Sequence, residues 1–101
     1  MSSDDTIVPR ALFRLALPYI EPRTPTERIL AEIWRKALSM DQVGVEDSYF
    51  DLGGDSMLAA VIFAETESAF GIAIPMAILT ETPTIALLAP KIDDLIRAAK
   101  G

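Results

Sequence analysis

Apolar residues recur with helical spacing in three long stretches of the chain. In the first, Ile29, Leu30, Ile33, Trp34, Ala37 and Leu38 follow the i, i+3, i+4 rule, while Glu27, Arg28, Glu32, Arg35 and Lys36 hold the other side. Its start is marked by Thr24-Pro25-Thr26-Glu27. Thr24 caps, Pro25 takes the first position and Glu27 reaches back in a capping box. The pattern predicts a helix from Pro25 to about Leu38. The second predicted helix runs from Ser56 to about Phe70, with Gly71 as its stop. It has two apolar stripes. Leu58, Ala59, Ile62, Thr66, Ala69 and Phe70 form a core face, and Met57, Ala60, Val61 and Ala64 form another. A helix in a small bundle cannot bury both. The second stripe therefore either covers a neighbouring segment or is a patch for partner proteins, for which methionine is suited. The third predicted helix starts at Thr82-Pro83-Thr84 and reaches about Ala98, with Ile85, Leu88, Ile92, Leu95 and Ile96 inward. Pro90 lies in its interior, where a proline kinks a helix or costs about 3 kcal/mol.

The segments between these helices differ in kind. Residues 39–55 form a long loop, anchored by Val43, Val45, Tyr49, Phe50 and Leu52 in the manner of a packed Ω-loop. Ile72 and Ile74 drop into the core, and Pro75 to about Leu79 is predicted as a short helical turn whose Met76 extends the patch. Residues 1–6 are polar, and a short helix after Pro9 is expected to align Val8, Leu12, Leu15 and Ala16. Leu17 to Pro25 contains three prolines and reads as an extended linker. The expected organisation is a flexible tail over residues 1–21 and one domain over residues 22–98. Its fold class is all-α: a small four-helix bundle of three long helices and one short one, with a long loop between the first two.

Composition narrows the chemistry. Half of the 101 residues are apolar and 24% are charged, which suits a single globular core. A net charge of −6 argues against nucleic acid and anionic membrane surfaces, and suits docking on basic patches of partner proteins. The apolar run from 7 to 20 is broken by Pro9, Arg10, Arg14 and Pro18, so it is neither a signal segment nor a membrane span. The chain has no cysteine, which fits a reducing cytoplasm. It has no histidine, so a Ser-His-Asp triad cannot be built.

The candidate chemistry lies at Gly53-Gly54-Asp55-Ser56. Two glycines allow positive φ and a close approach by another protein. If Asp55 is the cap, Ser56 is the first helical residue and its hydroxyl is free; if Ser56 caps, its oxygen is partly engaged. A phosphate ester on Ser56 would lie at the positive end of the helix dipole. The run Phe50-Asp51-Leu52-Gly53-Gly54-Asp55-Ser56, with Leu58 after it, resembles the attachment motif of peptidyl carrier proteins, the thiolation domains of non-ribosomal peptide synthetases. The resemblance covers about residues 22–97 and includes the Pro22-to-Glu27 stretch, Trp34, Phe70-Gly71 and Pro75. The segment from Ala16 to Glu27 also resembles the linker between an adenylation domain and its carrier.

That resemblance implies a non-catalytic carrier, monomeric and cytoplasmic. Ser56 would bear a covalent 4′-phosphopantetheine whose thiol holds aminoacyl, peptidyl or aryl groups as thioesters, with Gly53, Gly54 and Asp55 as the rest of the motif. The implied partners are a phosphopantetheinyl transferase, an adenylation enzyme, and condensation, tailoring or thioesterase domains. Met57, Ala60, Val61 and Met76 form the expected partner face. Two departures bear on partner choice: Asp55 stands where the family often has histidine, and Val61 where it often has arginine. The alternatives are an acyl carrier of polyketide or fatty-acid type and a helical interaction module without the arm. A nucleophilic hydrolase lacks both its histidine and the second glycine of its elbow. Calcium binding by Asp47, Asp51 and Asp55 meets the wrong spacing.

Overall fold

The computed structural model describes residues 7–75 and 77–100. It is all-helical, with three long helices and no β-strand among the described residues. Helix α1 spans Pro25–Leu38, α2 Ser56–Phe70 and α4 Ile85–Lys100; between the last two lies α3, the four-residue turn Ile78–Glu81. No helix among the described residues is long and apolar enough to cross a membrane.

Helix α1 starts as its sequence predicts. The Thr24 side chain accepts from the Glu27 N–H at 3.1 Å. Glu27 reaches back one residue beyond the cap, accepting from the Arg23 N–H at 2.8 Å. The buried face of α1 is Glu27, Leu30, Ala31 and Trp34. It is rotated from the predicted stripe, so Ile29 is exposed and Ile33 half-buried. Through this face α1 packs against both α2 and α4. A hydrogen bond from Thr26 Oγ1 to Asp93 Oδ1 at 2.6 Å ties α1 to α4.

Helix α2 also has its predicted limits, with Gly71 at φ 67 as the left-handed stop. Its core residues are Ala59, Ile62, Phe63 and Thr66. Phe63 is a core residue outside the predicted stripe, Leu58 and Phe70 are half-buried, and Ala69 is exposed. The short turn begins at Ile78, later than the sequence predicts, and the Ile78 N–H bonds back to the Pro75 carbonyl just ahead of it. Helix α4 begins at Ile85 rather than Pro83. Thr84 is the residue that caps, accepting from the Leu87 N–H at 3.2 Å, and the Pro83 carbonyl is taken by the Tyr49 N–H at 2.7 Å. Pro90 sits exposed inside a helix that continues past it.

The largest difference from the sequence reading is at the amino-terminal side. Residues 7–21, expected as a flexible tail, lie against the 39–55 loop. Val8 and Asp41 exchange backbone bonds with their neighbours there, Val8 N–H to the Ser39 carbonyl and Asp41 N–H to the Val8 carbonyl. The Val45 N–H donates to the Ile20 carbonyl at 2.9 Å. Arg10 pairs with Asp47, and Phe13, Leu15 and Ile20 pack against the core. The expected helix after Pro9 is a 3₁₀ turn, Arg10–Phe13. Its apolar side is not the predicted one, since Leu12 is 71% exposed. The segment is held by long-range partners that local periodicity cannot reveal.

Candidate functional site

The serine turn is built by the end of the 39–55 loop. Val43, Val45, Tyr49 and Leu52 are buried and anchor it. Phe50, expected to be a fifth anchor, is 53% exposed and meets Tyr49 edge-on, with ring centroids 5.6 Å apart. The loop is fastened on two sides: Val45 accepts from the Ala86 N–H at 2.9 Å, and Tyr49 donates to Pro83.

Tyr49 is the side chain nearest to being a floor for the turn. Its ring is buried and lies edge-on to Trp34 at 5.6 Å. A Cβ at position 54 would come within 2.2 Å of that ring, so only glycine fits there. Gly53 serves a different need, with φ at 80 and open space where its side chain would be. The Tyr49 hydroxyl donates to the Asp55 carbonyl at 2.6 Å. Burial, assisted by the nearby Asp55 charge, pushes the phenol's pKa up, so it remains a donor. The sequence signal for this bond was available in principle: a buried phenol needs a hydrogen-bond partner.

Asp55 is the N-cap, and its carboxylate accepts from the Leu58 N–H at 2.9 Å. Ser56 is therefore the first residue of α2, and it is exposed. The cap does not draw on its hydroxyl. A primary alcohol at a helix start, preceded by Gly53 with open space where its side chain would be, fits a phosphate ester. The dipole of a 15-residue helix favours the added negative charge. Ser56, Met57, Ala60, Val61 and Ala64 are all exposed, Met57 at 80% and Val61 at 49%. Val61 also lines an open groove of about 320 Å³ between α1 and α2, with Ile33, Ala37, Glu32, Lys36 and Glu65. Met76 lies outside the described residues. Among the described residues no three acidic side chains gather in a way that could hold a metal ion.

A family model described as "Phosphopantetheine attachment site" matches residues 28–90. The chain belongs to that family. Among curated proteins it is 38% identical over 86 residues to gramicidin S synthase 2 of Brevibacillus brevis, covering 85% of this chain and 2% of the synthase. It thus spans only a small fraction of that relative's length. Among solved structures it resembles the peptidyl carrier protein in a complex with the phosphopantetheine transferase Sfp and coenzyme A. The TM-score is 0.72 and the identity 30%, covering 75% of this chain and 99% of that one. A second resemblance is to McyG A-PCP complexed with phenylalanyl-adenylate, with a TM-score of 0.70 and 32% identity over 73% of this chain and 12% of that one. The chain is a carrier domain of the non-ribosomal peptide synthetase type, a non-catalytic protein whose cofactor is 4′-phosphopantetheine.

Proposed function

We propose that Ser56 is the attachment point. The observation that carries this reading is the division of labour at the start of α2, where Asp55 takes the cap and Ser56 keeps an exposed hydroxyl. In the modifying reaction the Ser56 oxygen forms a bond to the β-phosphorus of coenzyme A. The pyrophosphate bond breaks, adenosine 3′,5′-bisphosphate leaves, and a base on the transferase takes the serine proton. When bound, the arm supplies a thiol that holds an acyl group as a thioester. This chain contributes the hydroxyl, the shape of the turn and a tether that replaces free diffusion by a high local concentration.

The partners proposed are a phosphopantetheinyl transferase, an adenylation enzyme that loads the thiol, and condensation, tailoring or thioesterase domains that unload it. The exposed stripe of Met57, Ala60, Val61 and Ala64 beside Ser56 supports docking there, through small interfaces that form and part quickly. We count Ile78–Glu81 as the short fourth helix of the bundle and residues 39–55 as its long loop. The cysteine-free composition is in keeping with a reducing, cytoplasmic setting.

The test is intact mass after incubation with coenzyme A and a phosphopantetheinyl transferase. One phosphopantetheine is expected on the native chain and none on Ser56→Ala. An unchanged mass, or a gain that persists in Ser56→Ala, overturns the assignment.

A further inference from the structure

The Asp55 carbonyl has two donors. One is the Ala59 N–H at 2.9 Å, which is the first backbone bond of α2. The other is the Tyr49 hydroxyl at 2.6 Å, from a side chain six positions earlier. The backbone of Tyr49 holds the same turn from the other side, since its carbonyl accepts from the Gly54 N–H at 3.1 Å. The Tyr49 N–H in turn is anchored on Pro83, just ahead of α4. One residue thus grips the peptide units on both sides of the Gly54–Asp55 link. It is itself fixed against the body of the domain by Trp34 and Pro83. The residue that follows the gripped carbonyl is Ser56. Helix starts fray where backbone groups lack partners, and a loop flanked by two glycines is free to move unless something holds it.

We propose that Tyr49 is a positioning residue for the modification of Ser56: its hydroxyl, acting through the Asp55 carbonyl, holds the first turn of α2 and fixes where the serine oxygen is presented. This rests on the assignment of Ser56 as the attachment point. Tyr49 touches no reacting atom, so its effect falls on how often the hydroxyl stands in line with the phosphorus. That is a property of the bound complex, and it shows in kcat rather than KM, since the exposed docking stripe is untouched.

The test is Tyr49→Phe, which removes one oxygen and no packed carbon. Modification by a phosphopantetheinyl transferase is followed by intact mass, with backbone amide exchange measured on the same protein. The expected result is a fall of about five- to tenfold in kcat for modification, the scale of one lost hydrogen bond, with KM little changed. The Leu58 and Ala59 amides, which bond to Asp55, exchange faster while those in the middle of α1 do not. Equal kcat for the two proteins overturns the proposal. So does a loss of helix content in Tyr49→Phe, or exchange that rises by the same factor along the whole chain, since either makes the hydroxyl a general stabiliser. Should the native chain take no phosphopantetheine at all, the Ser56 assignment fails by itself, and the exchange at Leu58 and Ala59 still reports whether Tyr49 holds the turn.

Discussion

Arg10 and Asp47 stand 37 positions apart and meet in a two-point ion pair, Nε to Oδ2 and Nη2 to Oδ1, each at 2.6 Å. The Asp47 side chain is 1% exposed and that of Arg10 12%. Asp47 also accepts from the Gly44 N–H at 2.8 Å, and Arg10 donates a third bond to the Leu17 carbonyl at 2.9 Å. The pair therefore closes the 3₁₀ turn, the proline segment and the loop that leads to Ser56 into one unit. The hydrogen bonds to Asp47 outweigh burial and raise the pKa of the Arg10 guanidinium, which stays charged.

Arg10→Ala is expected to lower stability by about 3 kcal/mol, because it leaves a buried carboxylate without its cation. Removing both partners with Arg10→Met and Asp47→Leu together is expected to cost less than Arg10→Ala alone. Urea unfolding of the single and double variants measures both. A cost under about 0.5 kcal/mol for Arg10→Ala, the range of surface changes, would mean that the segment does not hold to the loop in solution.

Glu27 links pH to stability at the other end of the proline segment. Burial acts to raise its pKa, but the bonds it accepts from the Arg23 backbone and side chain overcome this and hold it below the usual value. A carboxyl depressed in the folded state stabilises fully above its unfolded value, about 4.3. That contribution is lost as pH falls through the lower folded value. Glu27→Gln cannot ionise, so the stability difference between the native chain and the variant is expected to shrink as pH drops below about 4.3. Urea midpoints for both proteins at neutral pH and in acid provide the comparison; a difference that is constant with pH would remove Glu27 from the acid response.

Helices α1 and α2 were legible in the sequence to the residue, because their signals are local: Thr24 with Pro25 and Glu27, Asp55 before an apolar run, Gly71 at the stop. The serine turn was legible as a motif for the same reason. What the sequence hid depends on distance in the chain. Arg10 reads as an ordinary interruption of an apolar run until Asp47 is brought to it. Phe50 and Tyr49 look interchangeable as anchors, and only the fold decides that Tyr49 is buried and Phe50 exposed. On α2 every third or fourth residue is apolar on two faces, so periodicity alone could not assign Phe63 to the core.

Val61→Asp tests the exposed stripe. Val61 is 49% exposed and lines the open groove between α1 and α2, so a charge there is expected to change stability by no more than about 0.5 kcal/mol. It adds an acid beside Glu65 on a chain that already carries −6. An adenylation or condensation partner that packs an apolar surface against this stripe is expected to show a KM raised about tenfold or more, the cost of burying an unpaired charge. Thermal unfolding and loading kinetics on Val61→Asp decide it. Unaltered kinetics with every partner would leave the stripe without a docking role.

Pro90 gives the last prediction. It occupies the sixth position of α4, where a residue with an N–H would bond to the Ala86 carbonyl, and its ring is exposed. The helix nevertheless continues to Lys100. Its inner face is clamped on both sides of the proline by Leu88, Ala89 and Ile92, all buried. Tertiary packing therefore maintains the helix against a local cost of about 3 kcal/mol. Pro90→Ala restores the missing donor and changes no buried contact, but it also loosens the unfolded chain, which offsets part of the gain. The expected net effect is a stabilisation of about 1–2 kcal/mol, or several degrees in Tm for a domain of this size. Because Pro90 lies on α4, away from Ser56 and the exposed stripe of α2, modification and loading rates are expected to stay at the native level. A variant that is no more stable than the native chain would show that the surrounding packing offsets the bond missing at Pro90.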